Sequence, residues 1–166
     1  SAVSLAIPSL QLGYLLGQVQ FCVSQESSRS YGVVGFLHKI APNTLRLVGT
    51  DGYRLSYCDL TIAMPEDFLS EGICISKRGL GELIRMCEEG FETVTLAVSP
   101  DRSNLCAAVP GYQLFIQLSN VKYPQYQGVI PKAATATLAL ARSVLQAVTK
   151  RVLLASPSKL WTIQLE

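Results

Sequence analysis

The 166-residue chain has few charged residues and a single histidine. Charged residues make up 16% of the sequence and apolar residues 49%, and the only biased tract is the serine-rich stretch 24–30. Disordered chains have the opposite balance, so we expect a globular protein. The formal net charge is only +2. Such a small charge excludes a global basic field that could hold the chain on a polyanion.

The shortage of histidine and of paired carboxylates argues against an enzyme. His38 is the one conventional general base, and it falls within a predicted strand, where a half-buried structural histidine is the more common role. Asp51 lies in a predicted turn, and Glu88 and Glu89 are adjacent on a predicted helix, so their side chains diverge. A small α+β enzyme would need a converging acid and base. We therefore predict a non-catalytic protein with no catalytic residues and no cofactor.

The cysteines indicate neither a disulfide framework nor a metal site. Five are present, an odd number, and none forms a C-x-x-C pair: Cys22, Cys58, Cys74, Cys87 and Cys106. Zinc requires clustered thiolates and imidazoles, so we predict no metal site. Cysteines that act as small apolar side chains fit a reduced cytosol, and we expect a cytoplasmic protein.

Residues 1–25 carry no charge, but they do not resemble a membrane segment. Pro8, two glycines and four glutamines interrupt them, and no basic residue precedes them. A spanning helix needs a long apolar run and a signal peptide needs a basic start, so we expect neither, and no membrane partner. The start at Ser1 and a predicted final strand at 160–165 without a visible partner suggest a piece of a longer protein.

One pattern occurs three times: an alternating apolar strand is followed by an amphipathic helix. Its members are Leu5, Ile7, Leu12, Leu15, Leu16 and Val19, then Ile73, Ile75, Leu80, Leu83, Ile84 and Cys87, then Leu138, Leu140, Leu145, Val148 and Val152. Three strand-like stretches follow each of the first two helices, and one follows the third. This regularity predicts duplication of a β-α-β-β-β unit.

The pattern also predicts where the elements lie. The first copy has a strand at 2–7, a helix at 9–22 and strands near 32–40, 44–50 and 54–61; the second has a strand at 72–76, a helix at 77–89 and strands near 92–98, 103–109 and 112–119. Asp51-Gly52 predicts a hairpin turn, and Ser76 is a candidate N-cap. Because each helix has one apolar stripe and each strand alternates, we predict an α+β fold with helices packed on antiparallel sheets.

The second helix has an unusual order of charges. Lys77 and Arg78 open it and Arg85 follows two turns later, whereas Glu88 and Glu89 close it. This order opposes the helix dipole at both ends. One interpretation is contact with the phosphates of a nucleic acid; the other is a solvated face whose charges are screened.

Tyr31 follows the polar serine-rich tract and is close in sequence to Arg29. Its ring could stack or hydrogen-bond on nucleic acid. Alternatively, it packs at the entrance of a strand, which is the more common role of such a tyrosine.

Three segments carry a resemblance to a known family. They are LRLVGTDGYRL at 45–55, SKRGLGEL at 76–83 and YPQYQGVIP at 123–131. They resemble, in order and spacing, three motifs of the bacterial DNA polymerase III β subunit family, the replicative sliding clamps. Gln125 and Gly128 depart from the family pattern, and residues 27–32 match it poorly.

The resemblance implies a DNA-clamp fold. Residues 1–131 would be the middle domain, built from two β-α-β-β-β repeats, and residues 132–166 a truncated start of the C-terminal domain. The full-length protein would be a head-to-tail homodimer that closes into a ring around double-stranded DNA. As a processivity factor of DNA replication, it would tether the DNA polymerase III α subunit, the clamp loader and other proteins that carry a clamp-binding motif.

The resemblance also assigns sites. DNA contact would fall to Arg78, and with less support to Lys77, Arg85 and Tyr31. Partners would dock a linear motif of the Gln-Leu-x-Leu-Phe type in a groove formed by Val33, Thr50, Gly52, Tyr53, Arg54, Leu55, Pro124 and Val129. Arg54 could orient a carbonyl or acid of the peptide. The alternative function is a stand-alone nucleic-acid-binding α+β domain, which would bind DNA as a monomer with a steep salt dependence.

Overall fold

The computed structural model describes residues 3–155, and the predicted strand at 160–165 lies outside them. Two compact units divide after Pro124. The elements of the first unit are β1 (Ser4–Pro8), α1 (Ser9–Gln20), β2 (Val34–Ala41), β3 (Thr44–Thr50), β4 (Leu55–Thr61), β5 (Ile73–Ser76), α2 (Lys77–Glu88), β6 (Thr93–Val98), β7 (Asn104–Val109) and β8 (Tyr112–Gln117). A short 3-10 helix, Ser30–Val33, precedes β2.

The second unit contains a 3-10 helix, Tyr126–Val129, and a longer helix, α3 (Arg142–Ala155). The sequence predicts that helix from its apolar spacing, and the prediction is confirmed. The sequence also predicts a strand at Leu138 and Leu140, and this prediction is wrong: neither residue lies in a strand. An extended segment needs a neighbouring strand to satisfy its backbone groups, and no described residue pairs with this segment.

The two repeats of the first unit exchange their first strands. The sheets have the orders β1-β6-β7-β8 and β4-β3-β2-β5, and every pair is antiparallel. Thus β1 of the first repeat pairs with β6 of the second, with Leu5 opposite Leu96, and β5 pairs with β2, with Ile73 opposite Leu37. Because of this exchange, each sheet is completed by a strand from the other repeat.

One core fills the first unit. Both helices pack against each other and against the sheets. The predicted buried face of α1 is confirmed, since Leu12, Leu15, Leu16 and Val19 are all buried. On α2 the buried apolar side chains are Leu80, Leu83, Met86 and Cys87, while the predicted Ile84 is only half-buried. Burial of such side chains contributes about 1.5–3 kcal/mol each, which makes the core the main source of stability.

The two helices begin differently. The Ser76 hydroxyl accepts a hydrogen bond from the Gly79 backbone N–H (3.1 Å), which confirms the predicted N-cap of α2. Helix α1 follows Pro8 and has no side-chain cap. The Ser9 hydroxyl is buried and has no hydrogen-bond partner among the described residues. The first turn of α1 is instead held by the Ser9 backbone N–H, which donates to the Glu92 carbonyl at 2.9 Å.

Candidate nucleic-acid and peptide interfaces

The basic residues of α2 meet at one surface depression. Its volume is about 570 Å³, and its lining is Gln20, Gln25, Val33, Val34, Ser76, Lys77, Arg78, Gly81, Arg85 and Ser119. Arg78 and Arg85 are seven residues apart, about two helical turns, and therefore lie on one face. Two glutamines and two serines add hydrogen-bonding groups at the same place. Cations beside amides and hydroxyls form a surface that can contact phosphate oxygens.

Part of this positive charge is compensated by an acidic side chain. Arg85 Nη2 lies 2.8 Å from Glu82 Oε1, an exposed ion pair between neighbouring turns. Lys77 is half-buried at the first position of the helix, and Arg78 is exposed beside it. The two residues add positive charge to the positive end of the helix dipole, which is unfavourable for the helix but favourable for an approaching anion.

Tyr31 is not among the residues that line this depression. Its half-buried ring packs edge-on against Tyr123, with centroids 6.5 Å apart and planes at 72°. Val33, in contrast, lines the basic depression, although the resemblance assigns it to the peptide groove. The roles of both residues remain predictions.

Residues 51–54 form the predicted turn between β3 and β4, which we call the groove hairpin. Asp51 Oδ1 accepts hydrogen bonds from the backbone N–H groups of Tyr53 and Arg54, both at 3.0 Å. Thr50 Oγ1 accepts from Gly52 N (3.0 Å) and donates to the Arg54 carbonyl (2.7 Å). Gly52 has φ +90°, which favours glycine. These contacts fix the conformation of the groove hairpin.

Arg54 ties the groove hairpin to the end of α1. Its Nε lies 3.0 Å from Asp51 Oδ2, and its Nη2 donates to the Phe21 carbonyl at 2.8 Å. The guanidinium also lies over the Phe21 ring, 5.6 Å from the centroid. Burial alone would raise the pKa of Asp51, but the hydrogen bonds from Tyr53 and Arg54 and the charge of Arg54 lower it below its ordinary value. The ionised form of Asp51 is thus stabilised by groups of the groove hairpin.

The groove hairpin and the adjoining end of α1 present aromatic rings to solvent. Tyr53 is 95% exposed and Phe21 is 56% exposed. Leu55, the first residue of β4, is half-buried, and Pro124 is exposed. Val129, in the second unit, is 71% exposed. Exposed aromatic and arginine side chains in one region are typical of protein-binding surfaces.

Two residues of this surface were missed by sequence reasoning. Phe21 was predicted to lie within the first helix, but α1 ends at Gln20 and leaves its ring outside the core. Arg29 lies in the serine-rich tract and donates from Nη1 to the Gly52 carbonyl at 3.3 Å. No periodic pattern marks a loop residue that reaches a turn 23 positions away. Only the tertiary structure brings these residues together.

The titratable groups elsewhere have structural roles. His38 is half-buried and stacks on Phe36, with centroids 4.5 Å apart. Burial and the charge of Arg46 lower the pKa of His38, against a smaller opposite effect of Asp59. Burial raises the pKa values of Cys74 and Cys87 to about 11, so both thiols are protonated at neutral pH and weakly nucleophilic.

No helix within residues 3–155 is long and apolar enough to cross a membrane. The same residues contain no cluster of three histidine, cysteine, aspartate or glutamate side chains that could hold a metal ion.

The architecture matches solved sliding clamps. The clamp from Bartonella birtlesii, bound to griselimycin, superposes with a TM-score of 0.85 at 26% identity and covers 95% of this chain and 42% of its own. The Caulobacter crescentus pol III beta structure gives a TM-score of 0.81 at 26% identity, over 94% of this chain and 42% of its own. The fold is thus that of a DNA clamp, and the predicted α+β fold class is confirmed.

Sequence comparison gives the same result. The beta sliding clamp of Chlamydia pneumoniae is 32% identical over 155 residues, which are 93% of this chain and 41% of that protein. The family described as "DNA polymerase III beta subunit, central domain" matches residues 6–125, and the chain belongs to this family. The resemblance seen in the sequence is confirmed. The chain spans about two fifths of the length of these relatives.

Proposed function

We propose that this chain is the central part of a bacterial sliding clamp, the processivity factor that encircles duplex DNA and tethers a polymerase. Family membership over residues 6–125 supports this function. Residues 1–131 are the proposed middle domain and residues 132–166 the proposed start of the C-terminal domain. The full-length protein would be a head-to-tail homodimer in the cytoplasm, an accessory replication factor without catalytic activity.

The single observation that carries the DNA-binding proposal is the convergence of Lys77, Arg78 and Arg85 on one depression. Lys77 and Arg78 oppose the helix dipole, so helix stability alone does not account for these two residues, whereas Arg85 lies in the last turn, where a cation is favourable. Contacts between side chains and phosphates carry no sequence information, and weak ones allow sliding. Retention on DNA would come from ring closure rather than from affinity, which is compatible with the net charge of +2.

Partner binding is proposed for the groove hairpin and its surroundings. The proposed partners are the DNA polymerase III α subunit, the clamp loader and other proteins with a linear clamp-binding motif. Exposed Tyr53 and half-buried Leu55 offer apolar surface, and Arg54 keeps further N–H donors for a peptide carbonyl. The resemblance adds further candidates for peptide contact, which are Val33, Thr50, Gly52, Pro124 and Val129.

A nuclear magnetic resonance (NMR) titration with a short DNA duplex tests the DNA-binding proposal. Amide shifts should cluster at Lys77, Arg78 and Arg85. Binding should be weak and should decrease with salt, with a slope of log K against log salt no steeper than about −3 for three phosphate contacts. The variant Arg78→Gln should bind more weakly, because it removes the most exposed charge at the start of α2.

The matched control is Arg102→Gln, which removes the same charge at a surface turn between β6 and β7. It should leave the duplex titration unchanged. Shifts that avoid α2, or equal losses in both variants, would contradict the proposed DNA surface. Tight binding by the monomer with a steep salt slope would instead favour the stand-alone nucleic-acid-binding domain.

A further inference from the structure

Arg29 lies directly on the groove hairpin. Its side chain covers Gly52, with Nη1 3.3 Å from the Gly52 carbonyl oxygen. A Cβ atom on Gly52 would overlap Nη1 and lie 3.3 Å from Arg29 Cδ, so the contact depends on glycine at this position. The backbone of Arg29 is itself held, because its N–H donates to Ser27 Oγ at 3.1 Å and its carbonyl accepts from Gly32 N at 2.9 Å.

The groove hairpin does not need Arg29 for its conformation. Asp51 and Thr50 already supply four hydrogen bonds within residues 50–54, at 2.7 to 3.0 Å. Arg54 adds two more, to Asp51 and to Phe21. The Arg29 contact is longer than all six and solvent-exposed, so it adds little to stability. Its position has another consequence: a cation lies beside the residues proposed to bind partner peptides.

The charge of Arg29 is not balanced locally. Its guanidinium donates to a neutral carbonyl, that of Gly52, and no carboxylate of the described residues forms an ion pair with it. Asp51, the nearest acid of the groove hairpin, is already engaged by Arg54 and two backbone N–H groups. Arg29 and the groove hairpin together therefore carry two arginines and one carboxylate, and Arg29 supplies the excess charge.

We propose that Arg29 is a specificity-determining residue of the peptide groove, and that it recognises a carboxylate beside the apolar anchors of a partner peptide. This inference rests on the proposed function of the groove hairpin. The partner chemistry follows from the surface: the exposed rings of Tyr53 and Phe21 accept apolar anchors, and Arg29 complements an acidic residue next to them. A guanidinium can engage a carboxylate through two parallel N–H bonds.

The test compares fluorescent peptides of the Gln-Leu-x-Leu-Phe type on the 166-residue chain. Each peptide carries either Glu or Gln next to the anchors, placed before the motif in one pair and after it in a second pair. Dissociation constants are measured by anisotropy at low salt for the unmodified chain, Arg29→Gln, Arg29→Lys and Arg102→Gln. Arg102→Gln controls for the loss of one positive charge, and a thermal melt confirms that each variant folds.

In the unmodified chain and in Arg102→Gln, Glu in one of the two positions should improve affinity about two- to fivefold over Gln, the range of an exposed ion pair. Arg29→Gln should abolish that ratio, and Arg29→Lys should retain part of it. All variants should still bind the Gln peptides.

Three results would overturn the inference. If the Glu-to-Gln ratio is the same with and without Arg29, this residue does not set specificity, although peptide binding itself stands. If Arg29→Gln instead weakens binding of a DNA duplex and leaves the peptide ratio unchanged, Arg29 belongs to the DNA surface. If no peptide binds, the proposed partner groove of this chain fails, and the inference fails with it.

Discussion

Helices α1 and α2 occupy equivalent places in the two repeats but carry different surfaces. Both bury leucines at matching offsets, with Leu15 and Leu83 each 1% exposed. Outside the core, α1 has no charged residue, whereas α2 carries Lys77, Arg78 and Arg85. The exposed side chains of α1 include Leu10, at 88%. The buried positions therefore maintain the duplicated fold, while the proposed DNA contact depends on surface positions that the two repeats do not share.

The largest expected effect concerns the shared core. Leu15→Ala in α1 and Leu83→Ala in α2 should each lower the free energy of unfolding by about 2–5 kcal/mol, because each leaves a cavity in a packed core. Urea denaturation measures both. The two losses should be similar, since both leucines are fully buried in one core that spans the exchanged sheets. A loss below about 1 kcal/mol for either variant would show that the repeats do not contribute equally.

The glycines of the two helices should respond in opposite directions. A Cβ on Gly79 of α2 would lie 2.7 Å from Ile116 Cγ2 and 3.0 Å from Ile75 Cγ2, whereas a Cβ on Gly17 of α1 would meet no atom within 4 Å. Gly79→Ala should therefore destabilise the protein by about 1–3 kcal/mol through overpacking. Gly17→Ala should stabilise it by about 0.5–1 kcal/mol through helix propensity. Thermal melts of the two variants check the signs, and equal signs would contradict the packing described for α2.

Ser9 and Ser76 stand at the starts of the two helices, but only Ser76 makes a capping hydrogen bond. Ser76→Ala should cost about 1 kcal/mol, because it removes the N-cap hydrogen bond of α2. Ser9→Ala should be neutral or slightly stabilising, since the buried Ser9 hydroxyl has no partner among the described residues. Denaturant midpoints of the two variants give the comparison. A comparable loss for Ser9→Ala would mean that its hydroxyl has an important hydrogen bond.

A charge reversal at Lys77 should change stability only slightly, and it should change stability and DNA binding in opposite directions. Lys77→Glu should stabilise the protein by about 0.3–1 kcal/mol, because it places a negative charge at the positive end of the helix dipole. The same change should weaken binding of a DNA duplex. The isosteric control Lys77→Gln should give a smaller change in both quantities. A variant that loses stability and keeps DNA binding would contradict the role assigned to this charge.

Much of the fold could be predicted from periodicity. The strands and helices of the first unit lie within a few residues of their predicted bounds, because apolar spacing directly reflects which side chains face the core. The N-cap at Ser76 and the turn at Asp51-Gly52 follow from local chemistry in the same way. Periodicity and turn chemistry suffice to predict an element whose structure depends on its own sequence.

Long-range pairing could not be predicted in this way. The exchange of β1 and β5 between the sheets leaves no local signal, since a strand alternates in the same manner whichever partner it has. The wrong strand at Leu138 and Leu140 illustrates the converse, because this alternating segment pairs with no described residue. Within the candidate sites, the sequence indicated Arg78 and Arg54, but it could not place Arg29 over Gly52 or Val33 beside the basic depression.

The most direct test of the account is a pair of NMR titrations on one labelled sample of the chain, first with a Gln-Leu-x-Leu-Phe type peptide and then with a short DNA duplex. We expect two separate sets of shifted amides: residues 50–55 with the peptide, and residues 77–85 with the duplex. Tyr53→Ala, which removes a ring that is 95% exposed, should reduce only the peptide shifts. Overlapping sets, or a chain that responds to neither ligand, would contradict the assignment of partner and DNA binding to these two surfaces.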